Sequence, residues 1–482
     1  LVNQNSRLLA EVERLEGELT KRDKELAAKD AEIQKLSGEV ARLHHELDEA
    51  RRAAKRQAAP FSKGERKRPA ERKRPGRKPG EAYGKKARRL PPDAVDEDVV
   101  VGLPEACPHC GEDLTALEPG KWFEQFQEEL VANVLRRRYL IAAGRCPTCK
   151  AQVRGRHPSQ TSDALGAAAV MLGPNAISHA AWLHYGCGLS AAKISRLYGL
   201  LGLRVTPGGV TLLLERLAED ASGTYDALKA ALRLSEVVTP DETGWRVDAE
   251  RGWLWVFVGD KVTVYDIRVG EGARGAEVAT DMIGEGFSGV ICRDGWSSYR
   301  AFKAATHQTC LAHLLRRCRE MIDASVAGQA RVPHAVQRLL KDALALRAAR
   351  DTGQLGGAKL EAEVKRLEER ADKLVASRPS HEPNRRLVAH LAKERNALFS
   401  FLRAPGVPAT NHEAERAIRP QVCTRKNWGG NRTGAGAVAA KVIGSVIRTA
   451  AQQGLSPTDV LVEIATTDGA RSGLDLAGQP GP

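Results

Sequence analysis

The chain has 482 residues, 28% of them charged, with a formal net charge of +14 and a pI near 9.4. That length allows two to four domains with real cores, and the basic excess points to a polyanion or an acidic membrane surface as partner. No apolar run reaches the roughly 18 residues of a membrane span and no signal-peptide pattern appears, which excludes those classes and leaves a soluble cytoplasmic protein as the expectation. The first residue is Leu1, as in a fragment or a translation from an alternative start codon. Nine cysteines, an odd count in a long chain, argue against a disulfide framework.

In chain order, the first 50 residues carry a heptad. Asn5, Val12, Leu19, Leu26, Ile33, Val40 and Leu47 recur every seven residues, and Leu1, Leu8, Leu15, Leu36 and Leu43 fill the companion positions, with Arg22 and Lys29 interrupting. This seam predicts a coiled coil, most simply a parallel homodimer whose register Asn5 helps to fix. Residues 51–90 hold 17 Lys and Arg against three Glu, an excess equal to that of the whole chain. Pro60, Pro69, Pro75 and Pro79 forbid a continuous helix there. The run RKRPGRKPG, with Arg72, Lys73, Arg74, Arg77 and Lys78, reads as an extended arm suited to phosphates and narrow minor grooves.

Two CxxC turns follow, Cys107 with Cys110 and Cys146 with Cys149. Four thiolates in two such turns favour a tetrahedral structural Zn²⁺ site. The 35 residues between the turns exceed a compact ribbon spacing, and their alternation predicts strands in the gap. Residues 163–235 read as helices, with a pair at about Ser190–Leu201 and Gly208–Ala218 compatible with either a helix-turn-helix or a plain helical hairpin.

From Glu236 the hydrophobic period becomes two. EVVTPDE, GWLWVFVGD, KVTVYDIRV and GVICRDGW predict four short strands, the first ending at Asp241 and the fourth at Asp294. Leu311 to about Pro405 is strongly helical, and a further helix beginning near Asn411 carries Glu415. A last helix over about Ala437–Gln453, a short helix and a Gly-rich tail close the chain.

Two strand-end aspartates and a helical glutamate form a set able to hold two divalent cations. Oxygen-only ligands suit Mg²⁺ or Mn²⁺ in two-metal phosphoryl transfer. Each acid also has a plain structural role open to it: a turn cap at Asp241, a DG turn at Asp294, an i,i+4 pair between Glu415 and Arg419.

The motifs CPHCGEDL with CPTC, TPDETGWRV followed by WLWVF, RDGWSSYRAF with HQTCLAHLLRR, and TNHEAERAIRPQVCTRKNWGGNRTGAGA coincide in order. Together they resemble a DDE transposase of the insertion-sequence family sixty-six, over about residues 8–450. The resemblance implies an RNase H-like catalytic fold with Asp241, Asp294 and Glu415 as the triad, and a helical insertion within the 121 residues from Asp294 to Glu415. Glu413 and Glu242 are the rivals for ligand positions. The family's Asn-Asn before the Glu-bearing helix is Asn411-His412 here, and its Gly-Gln-Pro-Gly-His element appears only loosely, as GRKPGEAYG. His307, Cys310 and His313, read as lying on one helix with Cys318 beyond, are candidate metal ligands for which structural roles are favoured. Arg419, Arg425 and Lys426 are placed to neutralise phosphates, and Trp428 to stack a base or fill the core.

The expected architecture is multidomain α/β: a coiled coil over 1–50, a basic linker over 51–98 and a zinc-binding module over 99–160. A helical region over 161–235 follows, then an RNase H-like domain over 236–310 and 405–455 split by a helical insertion over 311–404, and a tail over 456–482. The expected activity is Mg²⁺- or Mn²⁺-dependent cleavage at transposon ends and 3′-hydroxyl strand transfer. The alternative is an inactive or repurposed transposase that only binds DNA. Expected partners are double-stranded DNA (terminal inverted repeats and target), a second copy of the chain and small accessory proteins. No membrane is among them, and the expected place is the bacterial cytoplasm, on the nucleoid when DNA-bound.

Overall fold

The computed structural model describes residues 134–165, 171–326, 328–466 and 473–475, with most of 11–39 and parts of 94–116. Two compact units divide the chain, Leu1–Glu128 and Glu129–Pro482. In the first unit, residues 14–26 and 28–36 are helical, with Arg14 bridging Glu11 and Glu18 one turn away on either side. The heptad residues Leu15, Leu19, Leu26, Ile33 and Leu36 are all half or more exposed along it. The basic run and Cys107 lie outside the described residues.

In the second unit, strands β1 (Ala143–Arg145) and β2 (Gln152–Arg154) pair antiparallel around Cys146 and Cys149. The strands expected between the CxxC turns fall mostly outside the described residues, and residues 134–142 have no regular structure. Helices α1 (Pro174–Ala181), α2 (Ala191–Leu200), α3 (Pro207–Asp220) and α4 (Ser222–Arg233) follow, with a π-helical turn over Trp182–Gly186. Ser190 caps α2 and Thr206 caps α3, each accepting a backbone N–H from its first turn.

The sheet comprises β3 (Val237–Val247), β4 (Glu250–Val258), β5 (Thr263–Val269), β6 (Val290–Arg293) and β7 (Thr306–Thr309). Its spatial order is β5-β4-β3-β6-β7. The first three strands form an antiparallel meander, while β6 and β7 run parallel to β3. Asp248 and Ala249, both at positive φ, turn β3 into β4, the backbone that a two-residue hairpin needs. β4 reads as a near-continuous apolar run because both its faces are covered, and Trp255, Val256 and Phe257 are fully buried.

Helix α5 (Ala276–Ile283) crosses between β5 and β6, and a 3₁₀ turn over Ser297–Ala301 joins β6 to β7. Helices α6 (Leu311–Asp323), α7 (Arg331–Asp351), α8 (Gly357–Ala376), α9 (Glu382–Glu394) and α10 (Ser400–Arg403) then build a second core around Leu314, Leu339, Leu340, Leu387, Leu391 and Phe401. Helices α11 (His412–Trp428), α12 (Gly434–Gln452) and α13 (Pro457–Thr466) return to the sheet. Their apolar residues join those of α1–α4 and the strands in one continuous core. The mixed five-strand sheet with flanking helices is compatible with the expected α/β class.

Two local expectations are corrected. β3 does not end at Asp241 but runs six residues further, because β4 pairs with it all the way to Val247. His307, Cys310 and His313 do not share a helix: His307 lies in β7, Cys310 precedes α6 and His313 is in its first turn.

Candidate active site

Strand β3 contacts β6 through only two register pairs, Val237 with Val290 and Val238 with Ile291. Beyond them the two strands part. Asp241 stands three residues past Val238, and Asp294 three past Ile291, so the two aspartates are level at the mouth of the gap. Glu415 enters from the first turn of α11.

The strand's alternation separates Asp241 from its neighbour Glu242. The Glu242 carboxylate is almost wholly buried and pairs with Arg274 at 2.8 Å, while the Tyr299 hydroxyl donates to it at 2.5 Å. Arg274 is itself held between the rings of Trp253 and Trp296, 4.1 and 3.7 Å from their centroids. Glu242 therefore has its full complement of protein partners. Its chemistry is structural, and neither Arg274 nor Tyr299 stands at a sequence spacing that announces the contact. The signal that was available is the aromatic density of WLWVF and DGWSSY.

Asp241 is different. Among the described residues its carboxylate accepts one hydrogen bond, from the backbone N–H of Glu242 at 2.9 Å. Burial, then the charges of Glu242, Asp294 and Glu415, push its carboxyl up to about 7. Asp294 accepts from the Trp296 N–H at 2.9 Å, which fixes the turn leaving β6. Glu415 lies 3.4 Å from Nε2 of His313, whose other ring nitrogen is buried without a hydrogen-bond partner. The charges of Asp294 and Glu415 both act on Asp241, so the three acids share one electrostatic neighbourhood. As placed, no three His, Cys, Asp or Glu side chains among the described residues converge closely enough to hold an ion. The donor chemistry nonetheless fits a hard dication: oxygen ligands only, with like charges whose repulsion lifts Asp241.

Glu413, two residues before Glu415, faces elsewhere, lining a cavity of about 520 Å³ with Thr239, Asp260, Arg416 and Arg448. His307 is engaged at both ring nitrogens, by the Phe302 carbonyl at 2.9 Å and the Arg293 Nε at 3.3 Å. Cys310 Sγ accepts from the Asn411 N–H at 3.3 Å, and Cys318 is buried, its thiol pushed up to about 11. Arg419 and Lys426 are exposed along α11. Arg425 instead donates to the Gly244 carbonyl and to the Thr243 hydroxyl, clamping α11 to β3. Trp428 stacks on His184 at 4.5 Å and donates to the Gly188 carbonyl, so it packs. After it, Gly429 caps α11 in the left-handed region, and at Gly430 any Cβ would come within 2.4 Å of the Arg246 carbonyl oxygen. Arg72, Lys73, Arg74, Arg77 and Lys78 lie outside the described residues.

At the other end of the unit, the Cys146 thiol is lowered, chiefly by the backbone N–H of Cys149 and then that of Thr148. None of the eight described cysteines is in a disulfide. Among the described residues, no helix is long and apolar enough to cross a membrane.

The sequence profile described as "Transposase IS66 family" matches residues 169–439, which include all three acids and the whole sheet. The chain belongs to the IS66 transposase family. A protein of Sinorhizobium fredii (strain NBRC 101917 / NGR234) described as "Uncharacterized protein y4qI" is 25% identical over 319 residues. That alignment covers 58% of this chain and 57% of the relative, so the IS66-family chain spans little more than half of that protein's length.

Proposed function

We propose that this IS66-family chain is a DDE transposase that cuts transposon ends and joins their 3′-hydroxyls to target DNA. The observation that carries the reading is the level placement of Asp241 and Asp294 on parting parallel strands, with Glu415 sharing their field. Asp241, Asp294 and Glu415 would hold the catalytic Mg²⁺ or Mn²⁺. Bound there, the ions supply activation of the attacking oxygen and stabilisation of the leaving one. The chain's own part is to fix these carboxylates on a rigid strand, a strand end and a helix start. Arg419 and Lys426, exposed on the helix that carries Glu415, would meet the DNA backbone, where cations position the duplex without reading sequence. Arg72, Lys73, Arg74, Arg77 and Lys78 would add phosphate contacts from the basic arm.

Sequence spacing supports a structural zinc site made by Cys107, Cys110, Cys146 and Cys149. The heptad and its exposed apolar residues support pairing of two copies through the N-terminal helix. The test is incubation of the protein with end-containing DNA and Mg²⁺, supplying candidate accessory proteins. Joined product in the wild type, lost in Asp241→Asn, Asp294→Asn and Glu415→Gln while DNA binding persists, is the expected result. DNA binding without cutting by the wild type would favour the repurposed binding protein instead.

A further inference from the structure

Glu394, the last residue of α9, is a fully buried carboxylate where the α6–α10 helices meet the sheet, and its partners stand on the strand and turn that present Asp294. Its Oε2 lies 2.9 Å from Nη1 of Arg293, an ion pair off the line of a good hydrogen bond, and its Oε1 accepts from Arg300 Nη2 at 2.5 Å. Arg293 is only 4% exposed and immediately precedes Asp294. The same guanidinium donates to the Asp294 carbonyl at 3.0 Å and to His307 Nδ1 at 3.3 Å. Arg300 lies in the 3₁₀ turn that follows Asp294. Burial alone would raise the Glu394 carboxyl, but Arg293 and Arg300 outweigh it and hold the group below its ordinary value.

One helical turn earlier on α9, His390 makes a second contact with the same loop. A Cβ added at Gly295 would come within 3.1 Å of His390 Nε2, and the other ring nitrogen meets Arg317 of α6 at 2.8 Å. The Asp294 loop is therefore gripped on both sides by a single helix of the insertion. A buried ion pair is a poor way to gain stability, since apolar residues of similar volume often do as well. It is a good way to fix one geometry, because a guanidinium and a carboxylate satisfy each other in few arrangements.

We propose that Glu394 is a positioning residue: through Arg293 and Arg300 it makes the helical insertion set the place of Asp294. The inference rests on the DDE reading for what Asp294 does, and on the contacts above for what holds it. Glu394→Gln keeps the volume and removes the charge. The double variant Arg293→Met, Glu394→Met removes both charges and guards against a variant that merely fails to fold.

Two readouts separate the claims. Amide hydrogen exchange over residues 290–302 needs neither metal nor DNA. Exchange there is expected to rise at least tenfold in Glu394→Gln and in the double variant, with the global unfolding midpoint of the double variant near that of the wild type. Mn²⁺ titration followed by electron paramagnetic resonance reads the site itself. There Glu394→Gln is expected to weaken binding by about 10–100-fold, the usual cost of losing a group that orients a ligand, and Asp241→Asn to abolish it. Unchanged exchange over 290–302 in a folded variant overturns the positioning role. So does wild-type Mn²⁺ affinity in both variants. A wild type that binds no Mn²⁺ would sink the DDE reading, while the exchange result would still decide whether Glu394 holds the loop.

Discussion

Burial and the charges of Glu242, Asp294 and Glu415 lift the Asp241 carboxyl to about 7, so ionising it in the metal-free protein costs free energy. The ordinary value is 3.8, so between about pH 4 and pH 7 the folded state keeps a proton that the unfolded state has lost. This contribution to stability is full below pH 4 and is lost as the pH rises through 7. Asp241→Asn is therefore expected to stabilise the metal-free protein by roughly 1–3 kcal/mol at pH 8, with the difference closing near pH 4. Denaturant unfolding at the two pH values checks it, and an unchanged or lower stability at pH 8 would contradict the like-charge account. Replacing Glu242 should instead lower stability, because it has protein partners to lose. Glu242→Ala strands Arg274 in its aromatic sandwich and is expected to cost about 3–5 kcal/mol, measurable by the same unfolding. The alternation of a strand was enough to expect these two neighbours to part. The partners of Glu242 lie 32 and 57 residues away and no local pattern points to them.

Strand pairing explains where element boundaries escaped the sequence. The two carboxylates looked like the end of β3, but β4 pairs through them, and backbone pairing does not depend on the side chain. β7 is four polar residues, THQT, made a strand by its parallel register with β6. Its polar residues gave no period, which is why His307 was read onto the following helix. The helices were legible because their apolar residues and caps are local: α2 and α3 lie within two residues of their expected ends. Pro420 inside α11 breaks that rule, since an internal proline removes a backbone donor, yet the helix continues to Trp428.

One device was invisible in the sequence. β5 is an edge strand, and α12 covers it by accepting the Tyr265 N–H on Ser445 Oγ at 2.8 Å and the Thr263 N–H on Thr449 Oγ1 at 3.0 Å. Ser445→Ala and Thr449→Ala each leave one buried N–H without a partner, at an expected cost of about 1–3 kcal/mol. Faster amide exchange at Tyr265 and Thr263 respectively would accompany the loss, and slow exchange in both variants would contradict the role.

The second unit has two cores with different partners. Helices α1–α4, which the sequence separates from the strands, share the sheet's core, whereas α6–α10 build their own and reach the sheet beside Asp294. The order of motifs led to the expectation of an insertion between Asp294 and Glu415, and the packing shows which helices of that stretch lie beside Asp294. The Lys and Arg excess falls in residues 51–90 of the sequence, just after the heptad. Deleting residues 1–50 is accordingly expected to impair a complex holding two transposon ends more than binding of one end, as gel-shift titration would read. Equal losses in both would remove the pairing role from the N-terminal helix.

The central claim is that Asp241, Asp294 and Glu415 close on one metal site, and iron-directed cleavage of the polypeptide tests it most directly. Fe²⁺ substituted for Mg²⁺, with ascorbate and peroxide, cuts the backbone beside the bound ion. The account predicts cuts clustered next to residues 241, 294 and 415, suppressed by excess Mg²⁺ and absent in Asp241→Asn. Cuts elsewhere in the chain, or cuts at these positions that Mg²⁺ does not suppress, would contradict it.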